Sequence, residues 1–108
     1  MNWRLSLAGK YRLEPEAKQD LKESVLWYEK QQEGVGERFF QNVFEKIEQI
    51  SERPDSNPKF HNNYRKASIK KFPFYIFYTN EKTFVSIVAI WHKSRNPESF
   101  KERVDKNQ

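Results

Sequence analysis

The run from Phe84 to Trp91 constrains this chain most. Phe84, Ser86, Val88 and Ile90 fall on one face of an extended strand and Val85, Ile87, Ala89 and Trp91 on the other, so both faces are largely apolar. Such a strand belongs in the middle of a sheet, covered by other elements. A second strand run, Phe74-Tyr75-Ile76-Phe77-Tyr78, precedes it across Thr79 to Thr83, and Arg65 to Ile69 centres a third. Pro73 lacks the N–H a ladder needs, which predicts an edge or bulge position between the first two of these strands.

Upstream the period changes. Tyr11-Arg12-Leu13 reads as a short strand, and Glu14-Pro15-Glu16 as a helix start, with proline in the first turn and acids on the positive end of the dipole. Ala17, Leu21, Ser24, Val25 and Tyr28 follow as an amphipathic stripe, and Gly34 is the expected left-handed cap. A second helix is predicted over 37–52, its stripe being Phe40, Val43, Phe44, Ile47 and Ile50. So short a connection folds the two helices into an antiparallel hairpin. Residues 54–63 read as a polar, turn-rich loop, and Asn96-Pro97-Glu98 opens a last short helix to about Val104. Trp3, Leu5 and Leu7 alternate as in a strand, but Gly9 breaks the pattern, so 1–10 is expected to be an N-terminal extension. A single domain over 11–104 and a frayed end over 105–108 complete the division.

The order β-α-α-β-β-β-α defines an α+β domain in which the helical hairpin packs on one face of a small, mostly antiparallel, twisted sheet. The other face is expected to be partly open, rimmed by Tyr64 to Lys71 and by His92 to Arg95.

Charge divides the same way. From Ser56 to Pro97 eight Lys or Arg stand against one acid, Glu81, a net of +7; from Arg12 to Asp55 seven bases stand against eleven acids, a net of −4. The overall +5 therefore comes from the second half, and favours a polyanionic partner, nucleic acid or an acidic protein segment. With no cysteine, disulfides and Cys-based zinc sites are excluded, a composition that suits a reducing cytoplasm. His61 and His92 are far apart with no fixed carboxylate partner, so no metal is expected, and no Gly-rich phosphate loop or nucleophile elbow occurs, so no cofactor is either. The longest apolar run, Ile87 to Trp91, is far too short to span a membrane, and the apolar core of 1–10 is too short for a secretory signal.

One set of residues ties these elements to a known pattern. It comprises Tyr11-Arg12-Leu13 with Glu16-Ala17, Asp20-Leu21, Trp27-Tyr28-Glu29, Gly36 with Phe39-Phe40, and Ile47, Ile50 and Pro54. It continues with Tyr64-Arg65-Lys66, Phe72-Pro73-Phe74-Tyr75-Ile76-Phe77-Tyr78, and Ile87 to His92 with Arg95 and Pro97. In order and spacing this resembles the RelE/ParE superfamily of bacterial type II toxins, also called plasmid stabilisation proteins, over roughly 11–104. The resemblance implies a growth-inhibiting toxin held inactive by an antitoxin encoded beside it. In one branch such toxins enter the ribosome and cut mRNA; in the other they poison DNA gyrase.

RNA cleavage through the 2′-hydroxyl needs a base, positive charge on the phosphate, and an acid or cation for the leaving oxygen. The resemblance makes Arg65, His92 and Arg95 the candidate catalytic residues of a metal-independent, ribosome-dependent mRNA endoribonuclease, with Lys66, Lys70, Lys71 and Lys93 as nucleic-acid contacts. Each has a plainer reading beside it. Arg65 is a phosphate clamp or a surface ion pair; His92 is a general base or acid, or a turn-positioning hydrogen-bond partner. Lys70 and Lys71 adjoin a strand and point to opposite faces. RelE-like nucleases often carry tyrosine near position 100, where this chain has Phe100, which has no hydroxyl. The alternatives to mRNA cleavage are therefore gyrase inhibition, or an antitoxin-binding module without toxicity.

Overall fold

The computed structural model of the chain describes residues 10–106. The proposed alternation of Trp3, Leu5 and Leu7 lies outside these residues. In order come β1 (Tyr11–Leu13), α1 (Pro15–Gln31), α2 (Val35–Glu52), β2 (Lys59–His61), β3 (Tyr64–Ser68), β4 (Phe74–Asn80), β5 (Val85–His92) and α3 (Glu98–Asp105). The strands form one sheet in the order β1-β5-β4-β3-β2, with β1 parallel to β5 and every other pair antiparallel. The α+β class and the helical hairpin stand as expected. The sheet has one strand more than the sequence suggested, because Lys59–His61 folds back on β3 inside the stretch read as a loop.

The hairpin closes through a carboxylate and a glycine. Glu29 accepts hydrogen bonds from the N–H groups of Gly34, 2.9 Å to Oε2, and Gly36, 3.0 Å to Oε1. Both donors lie at the start of α2, where backbone N–H groups have no partner within the helix. Gly34 has the left-handed φ of +87° expected of it, but it immediately precedes α2, while α1 has already ended at Gln31. Gly36 is needed for a different reason. A Cβ there would stand 2.6 Å from the Val25 carbonyl oxygen, so the helices touch backbone to backbone. Gly36→Ala is therefore expected to destabilise the fold by about 1–3 kcal/mol. A lower urea-unfolding midpoint would show it, and an unchanged midpoint would mean the helices part without penalty.

On the hairpin side, Ala17, Leu21 and Val25 of α1 and Phe39, Val43, Ile47 and Ile50 of α2 bury the sheet residues Ala67, Ile76, Tyr78, Val85, Ile87 and Ile90. The other face is covered in part, by α3. Phe100 and Val104 of α3 cover Phe77, Ala89 and Trp91, with Phe60, Tyr64, Tyr75 and Val88 packed around them. The expected alternation through β5 holds only as far as Ile87. There the β4–β5 register shifts: Tyr78 pairs with Ile87 and Phe77 with Ala89, leaving Val88 as an extra residue. Ile87 and Ile90 consequently both pack against the helical hairpin, while Ala89 and Trp91 pack under α3. Pro73 sits in the bend before β4, where its carbonyl accepts the Lys93 N–H at 2.7 Å. Among the described residues no helix is long and apolar enough to cross a membrane.

Candidate functional site

Three surfaces carry the residues singled out by the sequence. The first is the corner where β3 meets the loop after α2. Arg65 lies opposite Tyr78, on the hairpin side of the sheet. Its guanidinium donates to the Asn57 carbonyl at 2.6 Å and pairs with the Asp55 carboxylate at 3.2 Å. Tyr78 donates its hydroxyl to the Pro54 carbonyl at 2.8 Å and accepts from Asn57 Nδ2 at 3.3 Å. Burial raises the Tyr78 phenol above its ordinary range, which keeps it a neutral donor. Arg65 and Tyr78 thus pin the 54–57 loop between them, and the ion pair weighed for Arg65 is made with that loop.

The second surface is a cleft of about 330 Å³ between α1 and the far half of β5. Strand β1 covers β5 only from Val85 to Ile87, so among the described residues the edge beyond has no strand partner. Asp20 of α1 fills that gap. Its Oδ2 accepts the Ile90 N–H at 3.0 Å, and both carboxylate oxygens accept from Arg103 of α3, at 3.0 and 3.2 Å. Arg103 also donates to Glu16 at 2.7 Å. Burial raises the Asp20 carboxyl above the usual carboxylate range, while the bonds from Arg103 and Ile90 and the charges of Arg103 and Arg95 pull it back.

His92 and Arg95 line this cleft together with Trp27, Tyr28, Phe74 and Ile90. Nδ1 of His92 accepts the Ser94 N–H at 2.9 Å, and the ring stands edge-on to Phe74. That bond assigns the proton of the neutral ring to Nε2, so in this tautomer His92 is a turn-holder with one donor to spare and no free basic nitrogen. Arg95 is exposed and lays its guanidinium 3.6 Å from the Trp91 ring centroid. Trp27 is 58% exposed at the cleft mouth, beside Leu26 at 53%.

The third surface lies on the α3 side of the sheet. Lys66 Nζ stands 4.8 Å from the Phe60 ring centroid and 4.5 Å from that of Tyr75. Lys93 stands 5.0 Å from Tyr75 and Lys101 5.3 Å from Phe60. Lys70 and Lys71 are not here. They are exposed in the bend between β3 and β4, where Lys71 has a left-handed φ of 72° and lines a separate groove with Phe40 and Phe44 of α2. That bend is outside the strand, so the strand rule that would send the two lysines to opposite faces does not apply.

Of the candidate residues, then, His92 and Arg95 share a cleft, Arg65 belongs to a different corner, and Lys66 and Lys93 share the opposite face of the sheet. Phe100 is fully buried, stacked on Phe77 with centroids 4.0 Å apart. Sequence reasoning gave no role to Asp20, Arg103, Phe60, Tyr75 or Lys101. A signal existed for two of them: Asp20 is an acid inside the apolar stripe of α1, and Tyr75 is two residues from Phe77 on one face of a strand.

A hairpin on a five-stranded sheet with a short terminal helix is the RelE/ParE-like fold. The structure resembles a chain titled "Chromosomal ParDE TA system from P. aeruginosa" with a TM-score of 0.68 and 13% identity, covering 77% of this chain and 94% of that one. It also resembles the isolated E. coli RelE toxin, with a TM-score of 0.57 and 15% identity, covering 92% and 98%. At such identities the likeness speaks for the fold. No curated protein matches the sequence. The family described as ParE toxin of type II toxin-antitoxin system, parDE, matches residues 11–97. The chain belongs to that family, and as a toxin of such a system it has a cognate antitoxin as partner.

Proposed function

We propose that this chain is a cytoplasmic toxin that arrests growth by binding its target rather than by cutting RNA, and that the target is DNA gyrase. One observation carries the proposal: Arg65 does not converge with His92 and Arg95. A base and a phosphate clamp act on one 2′-hydroxyl only within hydrogen-bond reach of it. Arg65 is instead held by Asp55 and Asn57, and the Nδ1 lone pair of His92 is taken by Ser94. Phe100, near where RelE-like nucleases often carry a tyrosine, is a stacked core ring. The family match to ParE toxins supports the same direction. The antitoxin is a small protein whose extended segment wraps the domain and neutralises its basic half.

A second reading, ribosome-dependent mRNA cleavage, is favoured by the lysine-and-ring surface around Lys66 and Lys93, because cations interleaved with aromatic rings suit RNA. Pulse labelling after induction in cells lacking the antitoxin separates the two. Gyrase inhibition predicts that thymidine incorporation falls first while methionine incorporation persists. The reverse order sinks the gyrase proposal in favour of mRNA cleavage, and no fall in either leaves a binding module that has lost toxicity.

A further inference from the structure

We infer that the cleft between α1 and the far half of β5 binds an aryl group bearing one carboxylate. The carboxylate sits on Arg95 and His92, and the aryl ring lies against Trp27 and Tyr28. Such a site is independent of which target the toxin has.

Two hydrogen-bond donors line this cleft with no acceptor among the described residues. Nε2 of His92 carries the ring proton, because Nδ1 is taken by the Ser94 N–H. The Arg95 guanidinium rests on the Trp91 ring and meets no carboxylate or carbonyl there. The backbone keeps the two side chains close. The Arg95 N–H donates to the His92 carbonyl at 3.0 Å, closing a four-residue turn whose ends lie within about 7 Å of each other. A planar fork and a single N–H side by side match the two oxygens of one carboxylate.

Apolar walls adjoin these donors. The rings of Trp27, Tyr28, Phe74 and His92 form a continuous arc, with successive centroids 5.2, 6.2 and 4.9 Å apart. Trp27 is mostly exposed, so an aryl group seated beside it removes apolar surface from water. At about 330 Å³ the cleft stands at the lower end of the range for small-molecule sites, which suits one ring with a short acid arm. Charge then selects a monoanion. Asp20 and Glu23 line the cleft too; Asp20 is balanced by Arg103, and Glu23 set against Arg95 leaves the lining close to neutral. A phosphate monoester carries a charge of about −1.5 to −2 at pH 7 and is repelled by Glu23, whereas Arg95 alone balances a carboxylate.

The test is isothermal titration calorimetry of the full-length chain with phenylpropionate, using phenylpropanamide and phenyl phosphate as controls. The acid is expected to bind with a Kd of about 0.05–1 mM, the range for a ligand of this size. The neutral amide and the phosphate should bind at least about tenfold more weakly. Arg95→Gln should weaken the acid roughly 10- to 100-fold, and so should His92→Asn, which keeps an acceptor for the Ser94 N–H. Trp27→Ala should weaken acid and amide by a similar factor. Lys30→Gln, at an exposed position of α1 outside the cleft, removes the same charge as Arg95→Gln. It should leave the affinity within about twofold, because a distant exposed charge is screened. Acetyl-Ala-Ala-Phe with a free C-terminus distinguishes the source of the carboxylate. Tighter binding than phenylpropionate assigns the site to a chain terminus and weaker binding to a free small acid; both uphold it. No binding at concentrations about tenfold above the expected range overturns it. So does equal binding of acid and amide, tighter binding of phenyl phosphate, or equal loss in Arg95→Gln and Lys30→Gln.

Discussion

Replacing Arg103 with alanine is expected to cost about 3–5 kcal/mol, the usual effect of removing one partner from a buried ion pair. The Arg103 and Asp20 side chains are 18% and 14% exposed, so the carboxylate left behind is mostly shielded from water. Its remaining hydrogen bond is the Ile90 N–H. Three elements come apart together, because Asp20 belongs to α1, Ile90 to β5 and Arg103 to α3. Asp20→Ala should cost a similar amount by a different route, orphaning the Ile90 N–H and leaving Arg103 only Glu16. A double variant, Asp20→Asn with Arg103→Met, keeps an acceptor for Ile90 while removing both charges, and is expected to recover most of the loss. The pH dependence has a definite sign. Burial already raises the Asp20 carboxyl above its unfolded value, and removing Arg103 takes away the strongest influence lowering it. The folded state then holds this proton over a pH range where the unfolded chain has lost it, so stability falls as pH rises through that range. The Arg103→Ala deficit should therefore shrink as the pH is lowered toward the acid side. Urea unfolding at several pH values measures it, and a deficit independent of pH would mean that Asp20 is not an orphaned carboxylate in the variant.

Such a pair is invisible to sequence periodicity because its partners are 83 residues apart. What the sequence does reveal is what short-range periodicity encodes. The stripes of α1 and α2 follow from 3.6-residue spacing, and the buried members Ala17, Leu21, Val25, Val43, Ile47 and Ile50 are among those that spacing selects. Strand β5 shows where period-two reasoning stops. One residue inserted opposite Phe77 and Tyr78 reverses the faces downstream of it, and nothing in Ile87-Val88-Ala89-Ile90-Trp91 marks the insertion. Strand β2 escapes notice because three residues bounded by turn-formers carry too little pattern, and it forms only because β3 lies ready to pair with it. The site divides along the same line. That His92 and Arg95 share a cleft follows from their closeness in the chain. That Arg65 is held by Asp55 does not, since it requires the loop after α2 to lie against β3. The face expected to be partly open is covered in part by α3, because two apolar residues in that short helix, Phe100 and Val104, are enough to seat it on Phe77 and Trp91.

Phe100→Ala is expected to be as damaging, at about 3–5 kcal/mol, the range for deleting a fully buried phenyl ring. Phe100 is 0% exposed and stacks nearly parallel on Phe77 while meeting Trp91 and Tyr64 edge-on. The cavity would open beneath Phe77, on which Phe60 and Tyr75 also pack, so the unfolding midpoint should fall. Phe100→Tyr is the more telling variant, because it restores the hydroxyl that RelE-like nucleases often carry near this point. If the position were an active-site position that had merely lost its hydroxyl, tyrosine would be tolerated and RNA cleavage on ribosomes would rise. The packing argues otherwise. A hydroxyl added to a fully buried ring must be desolvated, and without a partner it costs about 1–3 kcal/mol. Phe100→Tyr is accordingly expected to lower the urea midpoint and to yield no cleavage of ribosome-bound mRNA. A stable variant that cuts mRNA would overturn both the core assignment of Phe100 and the choice of binding over cleavage.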